Sequence, residues 1–585
     1  MSEVYIDQCN IEMTWSKRQG MSIVKEEVKD IPVEYIKGIK KVLARNIKDF
    51  ELIDRTYDML MYCLFAKDVD IPLQAITTQI GMVAGKENKI DALLLGITII
   101  KSAEDVGLYR LERRDSNGEY YVIPKFKLQH TARNKIAELQ YLPPMKMKPR
   151  DWNSNTDGGW MKENRHIILG KSLGKHNEFQ CYDAVNKLQK VAFKIDTETY
   201  ITEKNTNHNM KKQPFLRTIK EYLDKEFYFV WQYDTRGRMY SSGYHLNIQT
   251  NEYGKALLEF ANKEYVTKLD NLYIAIAGHA GKDKLTWQER IDWVKSLNGD
   301  FSSVEWEEPM LGRKAVRALE DTLAGKPTGY MMGIDSTSSG IQLMAVLSGC
   351  KETARYTNLV DSSKRYDVYT EVLNVMNESL DTNNIVTRKA CKRSLMTHYY
   401  NSKSTPKSLM NEQQLEVFYK SLEGMLPGAE DVMNVINSAW NYEGTEHSWT
   451  MPDGHKVIVP VVEPKDYIIE DSELGSIPFR CYEKTPSENF RSLSPNILHS
   501  IDAYVAREMI RRCDFQMVHI HDNFLCSPDH IQDMCRIYRE ILADIAQMDL
   551  LQHILREISG NHSYVYHKFS DDLHVDILNS SYALS

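Results

Sequence analysis

No two of the nine cysteines stand at Cys-x-x-Cys spacing; they occur singly at Cys9, Cys63, Cys181, Cys350, Cys391, Cys481, Cys513, Cys526 and Cys535. That leaves a zinc site without support, and scattered thiols suit a reducing compartment. No uninterrupted apolar run is long enough to span a bilayer. Met1–Lys25 mixes Glu3, Asp7 and Glu12 with basic residues, so it has neither an apolar signal core nor the acid-poor character of a transit segment. The expectation is a soluble, cytoplasmic protein without a membrane partner. No repeat and no low-complexity domain interrupts the chain. Positive charge is also in short supply. A formal charge of −8 does not suggest nucleic-acid binding, although phosphate contact depends on where the cations lie rather than on their sum.

What remains is an ordinary globular composition, 42% hydrophobic and 26% charged over 585 residues. That length favours several lobes around a cleft. Helical periodicity runs through residues 33–141, with Ile36, Ile39, Val42 and Leu43, then Leu93, Leu94, Ile97 and Ile100. Pro143–Trp152, with Gly158-Gly159-Trp160, reads as an extended basic segment, either a strap between domains or a nucleic-acid contact. A helix is expected over 182–195, then a polar, basic linker over 204–212. Strands and helices alternate afterwards, which makes the chain α+β with a helical front lobe.

Four segments carry chemistry. In Gly333-Ile334-Asp335-Ser336-Thr337-Ser338-Ser339-Gly340-Ile341-Gln342, an apolar run over 330–334 predicts a buried strand. Asp335 emerges at its end beside small residues, where a carboxylate can hold magnesium; a strand-end Asp is also commonly a cap. Phe515–Cys526 predicts two strands around a turn with Asp522-Asn523 at the tip. Two such aspartates could share metals roughly 4 Å apart. Arg388, Lys392, Met396 and Tyr400 recur every four residues and so share a broad helical face, two cations followed by an apolar and an aromatic side chain. A basic solvated helix is the bland alternative. Asp234-Thr235-Arg236-Gly237-Arg238 predicts a turn projecting two arginines toward a phosphate backbone, though Arg-Gly-Arg alone is nonspecific.

Taken in order, these segments resemble the signatures of the single-subunit RNA polymerases of T-odd bacteriophages and mitochondria. The matches are Asp-x-Arg-Gly-Arg-x-Tyr at 234–240, Asp-x-x-x-Ser-Gly-Ile-Gln at 335–342, Arg-x-x-x-Lys-Arg-Ser-x-Met-Thr-x-x-Tyr-x-Ser-Lys at 388–403, and His521-Asp522. Further echoes are Trp449-x-x-Pro452-Asp453-Gly454 and Pro495-Asn496-x-x-His499-Ser500-x-Asp502. The resemblance implies a right-hand fold of palm, fingers and reduced thumb behind a mainly helical N-terminal domain. Its expected boundaries are 1–142 for that domain and 143–230 for a connecting segment and thumb. The palm's first part would be 231–350, the fingers 351–493 with a hairpin over 455–493, and the second part of the palm 494–585.

By the same resemblance, Asp335 and Asp522 would hold two magnesium ions. Arg388, Lys392, Met396, Tyr400, Gly340 and His521 would bind the nucleotide, with Lys392 and Tyr400 counted as catalytic. Arg236, Arg238 and His499 would touch template or hybrid, His499 on a helix capped by Ser494 and Pro495. Implied partners are DNA template, RNA product and ribonucleoside triphosphates, with an accessory or single-stranded-DNA-binding phage protein as a further candidate. The setting would be the cytoplasm of an infected host. Asn401 replaces the family's glycine. The hairpin segment carries Glu463, Asp466, Glu470, Asp471 and Glu473, a poor complement to phosphates, which points to promoter recognition delegated elsewhere. The nearest rival is an A-family DNA polymerase. Against it, Met396 stands where those enzymes have an aromatic, Asn523 follows Asp522, and Gly340 leaves room for a ribose 2′-hydroxyl. A non-catalytic homologue is a second alternative.

Overall fold

A computed structural model describes residues 4–9, 12, 31–66, 69–114, 119–129, 133, 142–170, 172–203, 213–243, 246–360 and 364–585. The basic linker expected at 204–212 lies outside them.

The N-terminal unit begins with helices α1 (Val33–Asn46) and α2 (Phe50–Phe65). Asp49 caps α2 by accepting the Glu51 N–H at 2.9 Å. Strand β1 (Ile71–Pro72) leads into α3 (Leu73–Val83) and α4 (Lys89–Glu104), and strands β2 (Tyr109–Arg113) and β3 (Tyr120–Pro124) follow. These three strands form one antiparallel sheet in the order β1–β3–β2. Reading 33–141 as helical therefore missed a sheet. Tyr-Tyr-Val-Ile is aromatic and β-branched and favours a strand, and Tyr-Arg-Leu-Glu-Arg, built mostly of helix formers, is drawn into the sheet by pairing with it. Leu94, read as part of the apolar face, is instead 45% exposed.

Among the described residues two hydrophobic cores result. One gathers Ile39, Leu60, Ile76, Ile97 and Val122 of the N-terminal unit. The other runs from Leu142 to Leu584. The proline-rich segment belongs to the second. Trp152 and Trp160 are buried in it, and the Trp152 indole donates to the Trp231 carbonyl at 3.0 Å. Lys146 pairs with Asp7 and Glu221, and Arg150 with Asp157, so these cations are engaged internally. The helix expected over 182–195 ends at Leu188, and Phe193–Ile195 is a strand paired with Leu258–Phe260.

Within the large core, β4 (Trp231–Tyr233) pairs with β5 (Met239–Ser241) around the Asp234–Arg238 turn. Strand β6 (Met332–Asp335) precedes helix α5 (Ser339–Ser348). Helix α6 (Arg388–His398) lies farther along. It is followed by the long hairpin β7 (Val462–Asp471) and β8 (Gly475–Lys484), paired over their full length. Helix α7 (Leu493–Arg512) leads to β9 (Met517–Ile520), β10 (Asn523–Cys526) and helix α8 (Ile531–Gln547). Strands β6, β10 and β9 make the central antiparallel sheet, with β10 in the middle. The expected Ser494 cap is not observed: a turn over Phe490–Ser492 runs into α7. Ser494 instead donates its hydroxyl to the Tyr399 carbonyl at 3.1 Å. Among the described residues no helix is long and apolar enough to cross a membrane.

Candidate active site

The central sheet fixes where the two aspartates stand. Asp335, the last residue of β6, pairs with Asn523, and Asn523 also pairs with Ile520 across the other hairpin. The tip is therefore His521-Asp522, not Asp522-Asn523, because Asn523 is already held in two ladders. His521 takes a left-handed φ of 58° to close this turn. The register brings Asp522 beside the end of β6. The Ser336 N–H donates to the Asp522 carbonyl at 3.2 Å, and its hydroxyl to the Asp522 carboxylate at 3.0 Å. Burial first, and then the Asp522 charge, raise the Asp335 carboxyl above its usual range.

Both acids open onto one cavity of about 650 Å³, which Lys392, Met396, Tyr400 and Gly340 also line. Beyond Asp335 the chain passes through Ser338 at a left-handed φ of 61° before entering α5. Such backbone strain in a non-glycine residue concentrates at functional sites. A Cβ on Gly340 would meet only the Tyr400 hydroxyl, at 3.7 Å, so the space beside it is open.

On α6, Thr387 caps the first turn and Lys392 lies 5.3 Å from the Tyr369 ring centroid. The helix ends at His398, so Tyr400 sits in the following turn rather than on the helical face. Asn401 adopts φ 61°, and the Ser402 N–H returns to the Thr397 carbonyl at 2.9 Å, a Schellman-type exit. Asparagine is among the few residues besides glycine that accept this conformation. Arg388 does not line the cavity; its guanidinium pairs with Asp367, which does.

The remaining candidates form a polar network beside Tyr400. Asp234 accepts the Arg236 and Arg238 backbone N–H groups at 2.9 and 3.0 Å, fixing the turn. Arg236 Nη1 donates to His499 Nδ1 at 3.0 Å. Since arginine only donates, His499 is neutral with its proton on Nε2. Burial, followed by the Arg238 and Arg236 charges, drives its pKa down to about 3. The Arg238 guanidinium pairs with Asp502 at 2.9 Å, a carboxyl that burial pushes up to about 6 against the pull of that arginine. The His499 ring lies 5.3 Å from Tyr400, and His521 5.4 Å from Tyr240.

Sequence reasoning missed several groups. Lys284 and Arg365 line the same cavity, but neither sits in a patterned segment, and only folding brings them there. His519 is fully enclosed against Trp231, and its Nδ1 meets the His521 carbonyl at 3.0 Å. A carbonyl can only accept, so Nδ1 carries the proton and ties down the turn bearing Asp522.

The donor set suits a hard cation. Two carboxylates leave most coordination positions to water and to substrate oxygens, as magnesium prefers. Among the described residues no group of three or more His, Cys, Asp or Glu side chains is placed to hold a metal ion.

A family model described as DNA-dependent RNA polymerase matches residues 266–442 and 429–580. The chain belongs to this family. The matched segments of the DNA-dependent RNA polymerase family contain Asp335, Lys392, Tyr400, His499 and Asp522, whereas the Asp234–Arg238 turn lies before them. The DNA-directed RNA polymerase of Pseudomonas phage phiKMV is 24% identical over 479 residues, covering 62% of this chain and 58% of that protein. The chloroplastic DNA-directed RNA polymerase 3B of Nicotiana tabacum is 21% identical over 447 residues, covering 65% and 46%. The mitochondrial DNA-directed RNA polymerase 1 of Arabidopsis thaliana is 22% identical over 431 residues, covering 62% and 44%. The chain thus spans about half the length of the curated relatives it matches.

Proposed function

We propose that this protein is a DNA-directed RNA polymerase that transfers ribonucleoside monophosphates to an RNA 3′-hydroxyl. The observation carrying this reading is the pairing of Asp335 beside Asn523, which sets two carboxylates at one cavity with Lys392 and Tyr400. In right-hand terms the central sheet is the palm, residues 351–493 the fingers and 143–230 a connecting segment with a reduced thumb, behind an N-terminal domain over 1–142. Two magnesium ions between Asp335 and Asp522 would supply activation of the 3′-hydroxyl and charge stabilisation on the departing pyrophosphate.

The side chains do the rest. Lys392 faces the triphosphate, and Arg388 joins it on exchanging Asp367 for phosphate oxygens. Tyr400 and Met396 support the incoming base, His521 lines the approach, and Gly340 admits the 2′-hydroxyl. Arg236, Arg238 and His499 face the template–RNA hybrid. The bond made joins the RNA 3′-oxygen to the α-phosphorus; the bond broken is the α–β anhydride, and the hydroxyl proton leaves to solvent. DNA template, RNA product and ribonucleotides are the partners.

Promoter recognition is reduced or delegated to an accessory or single-stranded-DNA-binding protein in this reading. The hairpin's acids are engaged within the chain, Asp466 by Arg480 at 2.6 Å and both Asp471 and Glu473 by Lys101. Efficient initiation by the purified chain alone on a specific duplex promoter would remove that partner from the account.

The decisive experiment is primer extension on single-stranded DNA with ribo- and deoxyribonucleotides, with and without magnesium. Magnesium-dependent ribonucleotide addition is expected, lost in Asp335→Asn and Asp522→Asn while circular dichroism is retained. Substantial extension by either variant overturns the assignment.

A further inference from the structure

The N-terminal unit raises a separate question, because its connectivity is that of a known DNA-binding architecture. Helix α2, strand β1, helices α3 and α4, then strands β2 and β3, with sheet order β1–β3–β2, is the arrangement of a winged helix. In helix-turn-helix units of this kind the second helix of the pair, here α4, enters the DNA major groove. The pair is tightly closed. A Cβ on Gly81 would stand 1.7 Å from the Ala92 carbonyl oxygen, and one on Gly96 2.0 Å from that of Thr77.

Helix α4 already has an occupant. At its start Lys89 Nζ donates to the Tyr482 carbonyl at 2.8 Å. Near its end Lys101 Nζ meets Asp471 at 2.7 Å and Glu473 at 3.0 Å. Gln74 of α3 donates to the Arg480 carbonyl at 2.7 Å, and Tyr120 of β3 to the Leu474 carbonyl at 2.9 Å. Between these anchors Ile477, Phe479 and Cys481 of β8 are buried in the N-terminal core. Lys89 and Lys101 are separated by about 18 Å of helix, and the β8 strand from Gly475 to Tyr482 spans about 23 Å. The ribbon therefore lies lengthwise along the helix.

The strip of α4 left exposed is Asp91, Leu94, Thr98 and Ser102. It offers no cation for phosphates, and its hydroxyls donate backward, Thr98 to the Leu94 carbonyl at 2.9 Å and Ser102 to that of Thr98 at 2.8 Å. Neutralising phosphates falls mainly to lysine and arginine, and a hydroxyl whose proton is already given to its own helix is not free to donate to a base edge.

We infer that this winged helix does not read DNA through α4 but binds the chain's own β7–β8 hairpin there, acting as the splint that keeps the ribbon folded and aimed. A lone two-stranded ribbon is marginal in water, so the splint supplies the core it lacks.

The test uses the full chain. Phe479→Ala and Lys101→Glu are expected to raise deuterium exchange of the 462–484 amides by about tenfold or more. RNA-primer extension on single-stranded DNA is expected to stay within about twofold of the unchanged chain, since neither residue touches the cavity. Lys101→Arg, which keeps a cation for both Asp471 and Glu473, retains protection, which separates loss of the contact from misfolding. Thr98→Glu and Ser102→Glu leave the affinity for a random-sequence duplex, read by fluorescence anisotropy, within about twofold. An approximately tenfold loss of duplex affinity in those two variants would overturn the inference. So would hairpin amides whose exchange ignores Phe479→Ala and Lys101→Glu. Failure of primer extension by the unchanged chain would count against the polymerase reading alone, because exchange and duplex affinity need no catalysis.

Discussion

Arg507→Met tests how the arginine turn is held. Arg507, on α7, is wholly buried; its Nε meets Asp453 at 2.6 Å and its Nη1 donates to the Gly237 carbonyl at 3.2 Å. Methionine fills similar volume but leaves that carbonyl unpartnered and Asp453 with Arg511, at 2.9 Å, as its one remaining arginine beside the His455 N–H at 3.3 Å. Breaking a buried pair costs about 3–5 kcal/mol, and the surviving Arg511 contact argues for the lower end. The lost carbonyl partner adds about 1 kcal/mol. At a total near 4 kcal/mol, a cooperative unit of about 150–250 residues melts about 8–16 °C lower, as read by differential scanning fluorimetry at pH 7.

Acid narrows the gap. Burial opposes ionisation of Asp453, but Arg507 and Arg511 overcome it and hold the carboxyl well below its usual range. A depressed folded-state pKa adds stability above the unfolded value of about 4, which is lost as pH falls toward the folded value. The difference between wild type and variant therefore shrinks below about pH 4. Adding Asp453→Leu recovers much of the stability, as apolar replacement of buried pairs does. It does not restore the Gly237 anchor, so a raised KM for primer–template persists. A single variant melting within about 2 °C of wild type, or a double variant no more stable than the single, refutes this account.

Gly340→Glu is expected to lower ribonucleotide use relative to deoxyribonucleotide use by about tenfold or more, because only the Tyr400 hydroxyl bounds the space beside it; an unchanged sugar preference in competitive extension would refute that role. His519→Leu removes the donor to the His521 carbonyl and is expected to raise the half-saturating magnesium concentration about tenfold, whereas His519→Asn, which can replace the Nδ1 donor, restores it. Equal magnesium curves for the two variants would show that His519 only fills space. Lys392→Ala is expected to raise KM for nucleotides more than it lowers kcat, by about tenfold in steady-state extension, and an unaltered KM would remove it from the triphosphate site.

Much of the cavity was legible because its residues lie in short segments whose local spacing is itself the signal. Asp335 ends a strand, Asp522 occupies a tight turn, and Lys392 and Met396 share a helix. The exit at Asn401 was not legible, since a left-handed residue after a helix follows from backbone closure rather than periodicity. Lys284 and Arg365 could not be found by pattern at all, because their place depends on which loops fold over the sheet. The N-terminal sheet was hidden for a related reason. Its strands are short, β1 pairs with β3 across about fifty residues, and β2 is made of residues that also favour helices, so the helical periodicity around them dominated. The hairpin's acids looked like a repulsive surface because the partner of Asp471 and Glu473, Lys101, lies several hundred positions away, and the pairing of Asp466 with Arg480 depends on strand register.

The central ladder has one more consequence. Because the two acids are set by neighbouring rungs, the polypeptide looping out between them can lengthen or shorten without altering their separation. One residue added inside Met332–Asp335 behaves differently: it turns every later side chain of that strand to the opposite face and carries Asp335 away from its partner. Lineages of this chain can therefore remodel whole lobes freely, while four consecutive residues tolerate no change in length.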